Sequence, residues 1–275
     1  MAEIKSIYVP EGALDGADIE MEYAVFGNGP KPFVLIPGLS LRSVLASANS
    51  VETSYKIFKE EYTVYLFDRR KNMPAVYPIY EMAHDLAASL NALGINNSAV
   101  VGMSQGGMIA QYMAIENPRL VAQLVLCSSS SKAEAQQDEV LGIWEKLARA
   151  GQSEELVNRF VEDAFSPSFL QRYRRALLAM YKNLTAEELL RFAITSEACS
   201  GMDTFERLGK IKCPTLVLGA DLDRVVTYGA SVKMVEKLKA ENVSHEFFTY
   251  EGYGHAAFDE AKDYKERILD FLRRH

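Results

Sequence analysis

The sequence predicts an α/β protein: a mostly parallel sheet with helices on both faces and one helical insertion. Three observations predict it. Short β-branched strands alternate with helical segments after residue 30, and a Gly-x-Ser-x-Gly turn stands where one strand gives way to a helix. Between about Ser131 and Phe205 the periodicity is helical only. Strands separated by helices run parallel, because each crossover returns the chain to the same end of the sheet.

The first thirty residues alternate in the manner of antiparallel strands. Ile7–Val9 and Glu20–Val25 flank a turn-rich stretch from Glu11 to Gly16, and Gly27-Asn28-Gly29-Pro30 makes a second turn. Phe33–Ile36, Thr63–Phe67, Ser98–Val101 and Leu124–Leu126 then read as short buried strands. Ile79 to Leu93 reads as a helix closed by Gly94, whose tolerance of the left-handed conformation suits a helix end. Gly107 to Ile115 carries apolar residues at helical spacing and stops at Asn117-Pro118, since proline disfavours helical geometry in the residue before it. In the insertion, apolar residues recur at Val140, Ile143, Trp144 and Leu147. They recur again at Leu156, Phe160, Val161 and Phe165, and then at Leu170, Tyr173, Leu177 and Tyr181, before a further helix from Glu187 to Ala198. The sheet pattern returns with Thr215–Leu218 and Glu246–Tyr250, and an amphipathic helix from Glu260 to Leu272 ends the chain. An insertion between strands of one sheet is expected to cover a site rather than to stand as a separate domain.

A formal net charge of −7 and a pI near 5.3 argue against a nucleic-acid binder, which needs a basic footprint. No apolar run approaches the roughly 18 residues that span a bilayer, and the first residues lack the apolar core of a secretory signal. The three cysteines, Cys127, Cys199 and Cys213, lie far apart. They predict buried thiols in a reducing compartment, hence a cytoplasmic protein that needs no membrane.

Gly102-Met103-Ser104-Gln105-Gly106 places a serine on a tight strand-to-helix turn, where small residues two before and two after let the backbone bend. Such a turn lifts the hydroxyl above the sheet edge. A serine hydroxyl attacks a carbonyl only if a base removes its proton and a third group orients that base. Among four histidines, His255 follows the last strand in a glycine-rich loop, Gly252-Tyr253-Gly254-His255, and is the candidate base. His84 lies mid-helix in a solvated setting, His245 enters a strand from the wrong edge, and His275 is the chain terminus. Asp221 and Asp223 both follow the strand that ends at Gly219, at the carboxyl end where an orienting acid belongs.

These features together resemble the α/β-hydrolase superfamily over essentially the whole chain, and the order Ser, Asp, His is the one that family uses. Asp223-Arg224-Val225-Val226 resembles the family's acid loop, which favours Asp223 over Asp221. Val34–Leu39 resembles the strand and loop that supply half of an oxyanion hole, and Phe67-Asp68-Arg69-Arg70 resembles the Asp-x-Arg turn. Two departures stand out: Pro37-Gly38 replaces the usual His-Gly, and Lys71 stands where glycine follows the turn. The resemblance implies a mostly parallel eight-stranded sheet flanked by helices, with residues 1–130 and 205–275 as core and 131–204 as an inserted helical cap. It implies Ser104, Asp223 and His255 as catalytic residues, and the backbone N–H groups of Leu39 and Gln105 as the oxyanion hole, with Ser40 as the alternative loop donor where Pro37 replaces the usual histidine. Within the superfamily the likeness is to small capped esterases, enol-lactonases and carbon–carbon hydrolases.

The expected activity is hydrolysis of a small carboxylic ester or lactone through an acyl-enzyme, with no metal or organic cofactor. The expected partner is a small molecule with an apolar or aromatic part, and the protein is expected to be a monomer or homodimer. An acyltransferase, a carbon–carbon hydrolase and a small-molecule receptor are the alternatives. The cap's Trp144, Phe160, Phe165, Tyr173, Met180 and Tyr181 could line an acyl pocket or form the cap's own core, and Arg172, Arg174 and Arg175 read as a solvated face.

Overall fold

The computed structural model describes the whole chain, Met1–His275. In chain order it has β1 (Glu3–Val9), β2 (Ile19–Phe26), β3 (Lys31–Ile36), α1 (Ala48–Ser54), β4 (Tyr62–Phe67), α2 (Ile79–Ala92), β5 (Ser98–Met103), α3 (Gln105–Glu116) and β6 (Val121–Cys127). The helices α4 (Ala135–Arg149), α5 (Ser153–Ala164), α6 (Pro167–Met180) and α7 (Ala186–Glu197) follow. Then come β7 (Thr215–Ala220), α8 (Tyr228–Ala240), β8 (His245–Tyr250), α9 (Ala257–Glu260) and α10 (Tyr264–Arg274). The eight strands form one sheet in the order β1-β2-β4-β3-β5-β6-β7-β8. The pairs β1–β2 and β2–β4 are antiparallel and every later pair is parallel, so this is an α/β-hydrolase fold.

The sheet splits the core into two layers by the two-residue alternation of its strands. Val34, Ile36, Val100, Leu124 and Leu126 face the side covered by α2, α3 and α8. Phe33, Leu35, Val101, Val125 and Leu218 face the side of α1 and α10. Both faces being dry explains why β5, β6 and β7 read as continuous apolar runs rather than alternating ones.

The helices α4–α7 leave the sheet after β6 and return before β7. An isolated antiparallel bridge between Lys132 and Asp203, with a 2.7 Å ion pair between their side chains, draws the two ends of the excursion together. Local signals set the helix starts: Ser166 caps α6 with Pro167 in its first turn, and Thr185 with Glu188 forms a reciprocal capping box on α7. No helix is long and apolar enough to cross a membrane.

Three local expectations change. The last helix divides in two because Ala261 is extended. Two helices without an obvious periodic signal, α1 and α8, fill the stretches after the Gly38 loop and after Val226. Lys71 fits the turn after Arg70 with negative φ, and its N–H donates to Glu20 O at 2.7 Å, so that turn is closed by β2 and has no need of glycine.

Candidate active site

Strand β5 ends at Met103, α3 begins at Gln105, and Ser104 between them has φ 50° and ψ −118°. A non-glycine residue at positive φ is strained, at a cost on the order of 1–3 kcal/mol, and persists only where its surroundings hold it. They do so closely. A Cβ on Gly106 would lie 2.1 Å from the Ile36 carbonyl oxygen, and one on Gly102 would lie 2.3 Å from the Gly106 oxygen. Only glycine allows backbone to meet backbone at these two points. The Ser104 carbonyl accepts from Gly107 N at 2.9 Å and from the Ser129 hydroxyl at 2.9 Å, which locks the turn from behind.

The structure brings Ser104, His255 and Asp223 together. Ser104 Oγ lies 2.9 Å from His255 Nε2, and His255 Nδ1 lies 2.8 Å from Asp223 Oδ2. All three are buried, with exposures of 7, 6 and 8%. The second carboxylate oxygen of Asp223 accepts from Val225 N at 2.8 Å and Val226 N at 3.1 Å, so the carboxylate orientation is fixed by its own loop. Asp221 is placed elsewhere: its Oδ1 accepts from Gly252 N at 2.7 Å and pins the start of the histidine loop. The same loop is fastened to the inserted helices. Ala256 N donates to Ala164 O at 2.8 Å, a Cβ on Gly254 would lie 2.8 Å from Ser166 N, and Ser166 bonds to Glu260 through both its N–H and its hydroxyl.

The loop Pro37–Leu39 runs alongside Ser104, close enough that a Cβ on Gly38 would touch the Ser104 Cβ at 3.0 Å. Gln105 is the first residue of α3, so its N–H has no intrahelical acceptor. Neither Gln105 N nor Leu39 N donates to any acceptor in the protein. Two free backbone donors thus flank the serine.

A buried arginine, which sequence reasoning assigned only to the Asp-x-Arg turn, joins the two donor segments. Arg69 Nη2 donates to Pro37 O at 2.7 Å and to Gln105 Oε1 at 2.9 Å, and Nε donates to the same Oε1 at 3.2 Å. Gln105 Nε2 then donates to Thr195 O of α7 at 2.5 Å. Burial pulls the Arg69 guanidinium down to about 10, so it stays charged at neutral pH. Beside it, Arg191 pairs with Asp68 at 2.8 Å and Arg42 with Glu188 at 3.2 Å. Together with Gly38, Leu39 and Ser40, these arginines line a small, open recess next to the loop. No signal along the chain marks Arg69: the folded sheet sets β4 beside β3 and β3 beside β5, and that order brings the residues past their carboxyl ends together.

The remaining candidates lie apart. His84 is half-buried with Nε2 3.2 Å from Gly12 O, His245 bonds to Val243 O, and His275 pairs with Glu246. No group of three or more His, Cys, Asp or Glu side chains is arranged to hold a metal ion. Trp144, Phe160 and Phe165 are buried within the inserted helices, with Trp144 Nε1 donating to Asp163 at 3.0 Å, whereas Tyr173 and Met180 are exposed. Arg174 is engaged by Glu162 and Asn158. The cysteines are all buried, and desolvation pushes Cys127 and Cys199 up to about 12 and Cys213 up to about 11. At pH 8 even the lowest of these carries about one thiolate per thousand thiols. Iodoacetamide is therefore expected to leave the native protein unmodified by mass spectrometry while alkylating all three cysteines in urea.

Comparison with known proteins gives three kinds of likeness. The family model Hydrolase_4, described as serine aminopeptidase, S33, matches residues 49–262. The 3-oxoadipate enol-lactonase 2 of Acinetobacter baylyi is 24% identical over 223 residues, covering 78% of this chain and 80% of that enzyme. The 2-hydroxy-6-oxononadienedioate/2-hydroxy-6-oxononatrienedioate hydrolase of Burkholderia vietnamiensis is 26% identical over 276 residues, covering 94% of this chain and 93% of that enzyme. Among solved structures, a thermophilic esterase from Thermogutta terrifontis superposes with a TM-score of 0.80 at 20% identity, covering 98% of each chain.

Proposed function

The chain belongs to the Hydrolase_4 (serine aminopeptidase, S33) family and is a hydrolase, and from that premise we propose that it cleaves a small carboxylic ester or lactone through an acyl-enzyme on Ser104. The observation that carries the reading is the continuous hydrogen-bond chain from Ser104 Oγ through His255 to Asp223 beneath two free backbone donors.

In this mechanism His255 Nε2 takes the hydroxyl proton as Ser104 Oγ forms a bond to the carbonyl carbon. Asp223 holds the Nδ1–H tautomer and offsets the charge of the imidazolium that forms. The N–H groups of Leu39 and Gln105 receive the developing oxyanion. His255 then passes its proton to the departing alkoxide, and the acyl group stays on Ser104. Water, deprotonated by the same imidazole, adds to the acyl carbon; the bond to Ser104 Oγ then breaks, His255 returns the proton to Oγ, and the acid leaves. Residues 131–204 act as a cap over this centre. Half-buried Leu39 stands on the loop beside Ser104, and the half-buried Phe258 ring stands edge-on to His255 at 6.4 Å, which supports a substrate with an apolar or aromatic part.

Carbon–carbon hydrolysis would draw on a cap arginine to hold a diketone. The cap's Arg191 is already engaged by Asp68 and by the carbonyls of Arg69 and Arg70, so ester or lactone cleavage stands first.

A fluorophosphonate probe tests the reading. The adduct is expected on the tryptic peptide containing Ser104, with labelling blocked by a turned-over ester or lactone. An adduct on any other residue would sink the assignment.

A further inference from the structure

We propose that Arg69 is a positioning residue for the oxyanion hole, clamping the loop that carries the Leu39 N–H to the helix start that carries the Gln105 N–H. The inference rests on the acyl-enzyme reading and adds a residue to it. The two donors come from segments 66 positions apart, Leu39 after β3 and Gln105 after β5; the β3–β5 ladder ends at Ile36 and Gly102, and beyond it no backbone hydrogen bond joins the two segments. Arg69 does so with one side chain. Its Nη2 holds the Pro37 carbonyl, two residues before the first donor, while Nε and Nη2 together hold the side chain of Gln105, the residue that is itself the second donor.

The chemistry of the clamp explains why arginine stands there. A buried guanidinium is costly to desolvate and normally meets a carboxylate. Arg69 is only 7% exposed and forms no ion pair within 4 Å. It meets neutral oxygens instead, one backbone carbonyl and one amide oxygen, in the planar fork that ammonium groups lack. No carboxylate hydrogen-bonds to the guanidinium; Asp68, paired directly with Arg191, offsets part of its charge only at longer range. A positive group behind the loop also favours the negative charge that builds on the carbonyl oxygen during attack. Pro37 gives the clamp a reason: it brings no side-chain hydrogen bond to the loop, so support has to come from a neighbouring strand end.

The clamp reaches further, into the cap. Gln105 Nε2 donates to Thr195 O, so Arg69, the serine turn and α7 share one amide side chain. Loosening Gln105 releases the loop from the turn and the turn from the cap together.

The test uses full-length Arg69→Lys, Arg69→Met and Gln105→Met, with Ser104→Ala as control, on an ester substrate and on a trifluoromethyl ketone that forms a tetrahedral oxyanion on serine. A displaced donor is expected to lower kcat about ten- to a hundredfold in Arg69→Met, with KM within about twofold, because donor position matters in the transition state and little in the ground state. The Ki of the ketone is expected to rise in proportion to the loss in kcat/KM, a correlation that mere loss of folded protein would not produce. Arg69→Lys keeps charge without the fork and is expected to recover only part of the loss. If Arg69→Met does not fold by circular dichroism, Gln105→Met carries the test. It keeps the backbone N–H, removes the acceptor that Arg69 grips, and is expected to lose about tenfold in kcat. A folded Arg69→Met with kcat within threefold of the parent, or an unchanged Ki beside a lowered kcat, overturns the proposal. A Ser104→Ala protein that still turns over overturns the acyl-enzyme reading and this inference with it. An inactive Ser104→Ala beside an unaffected Arg69→Met overturns this inference alone.

Discussion

Replacing Ser104 by alanine is expected to lower kcat for ester hydrolysis by about 10⁶, the loss seen when a serine nucleophile is removed from an intact site. That factor corresponds to about 8 kcal/mol of transition-state stabilisation. The loss is that large because His255 and Asp223 have no other proton to manage: Nε2 faces Ser104 Oγ at 2.9 Å and Nδ1 is committed to Asp223. For the same reason, His255→Ala added to Ser104→Ala is expected to cost almost nothing more, since the two side chains act as one unit. Stability should move the other way. Ser104 sits at φ 50°, a strain that alanine shares and glycine relieves. Ser104→Gly is therefore expected to be as inactive as Ser104→Ala yet to melt at a higher temperature. Steady-state kinetics and thermal melts on the two variants check both statements, and appreciable turnover by either variant would remove Ser104 from the mechanism.

Asp223→Asn is expected to lower kcat by about 10⁴, or about 5 kcal/mol, whereas Asp221→Asn should stay within about threefold of the parent. The direction follows from the acid loop. Val225 N and Val226 N both donate to Asp223 Oδ1, so an asparagine must keep its carbonyl oxygen there and turn its NH₂ toward His255. His255 Nδ1 would then accept, and its proton would sit on Nε2, where it can no longer take the Ser104 proton. Asp221 only accepts from Gly252 N, a bond that an amide oxygen makes as well as a carboxylate does. Equal losses in the two variants, or a larger loss for Asp221→Asn, would exchange their roles. Burst kinetics separate this effect on acylation from any effect on substrate binding.

Much of this arrangement was legible in the chain before folding. Central strands such as Ser98–Met103 and Thr215–Ala220 announce themselves because a sheet covered on both faces demands uninterrupted apolar residues. The serine turn is legible because its glycines answer a local steric demand. The two aspartates were harder. Both follow β7, and in the chain only the resemblance of Asp223–Val226 to the family's acid loop favours one; their hydrogen bonds, one set reaching His255 and the other Gly252, separate them. Helix α8 was hidden because its apolar face is a narrow stripe, Ala230, Met234 and Leu238, and its start has no periodic signal. The split of the last helix turns on a single extended residue, Ala261, which composition does not mark. Arg69 was assigned to a turn motif because its partners, Pro37 and Gln105, lie 32 and 36 positions away. No periodicity along the chain encodes a meeting of three strand ends.

The fastening of the histidine loop to the turn between α5 and α6 bears on how such a protein can be rebuilt. Ala256 N bonds to Ala164 O, Gly254 packs against Ser166 with no room for a side chain, and Ser166 bonds to Glu260. The inserted helices are consequently not an exchangeable cassette. A chimera that grafts a relative's helices between Lys132 and Asp203 would change substrate preference only if the graft restores the path of residues 164–166. Otherwise it also shifts the imidazole. Recombination at the ends of the insertion alone would then give proteins that fold and bind but turn over poorly, whereas carrying residues 252–260 along with the graft would transfer a working pair.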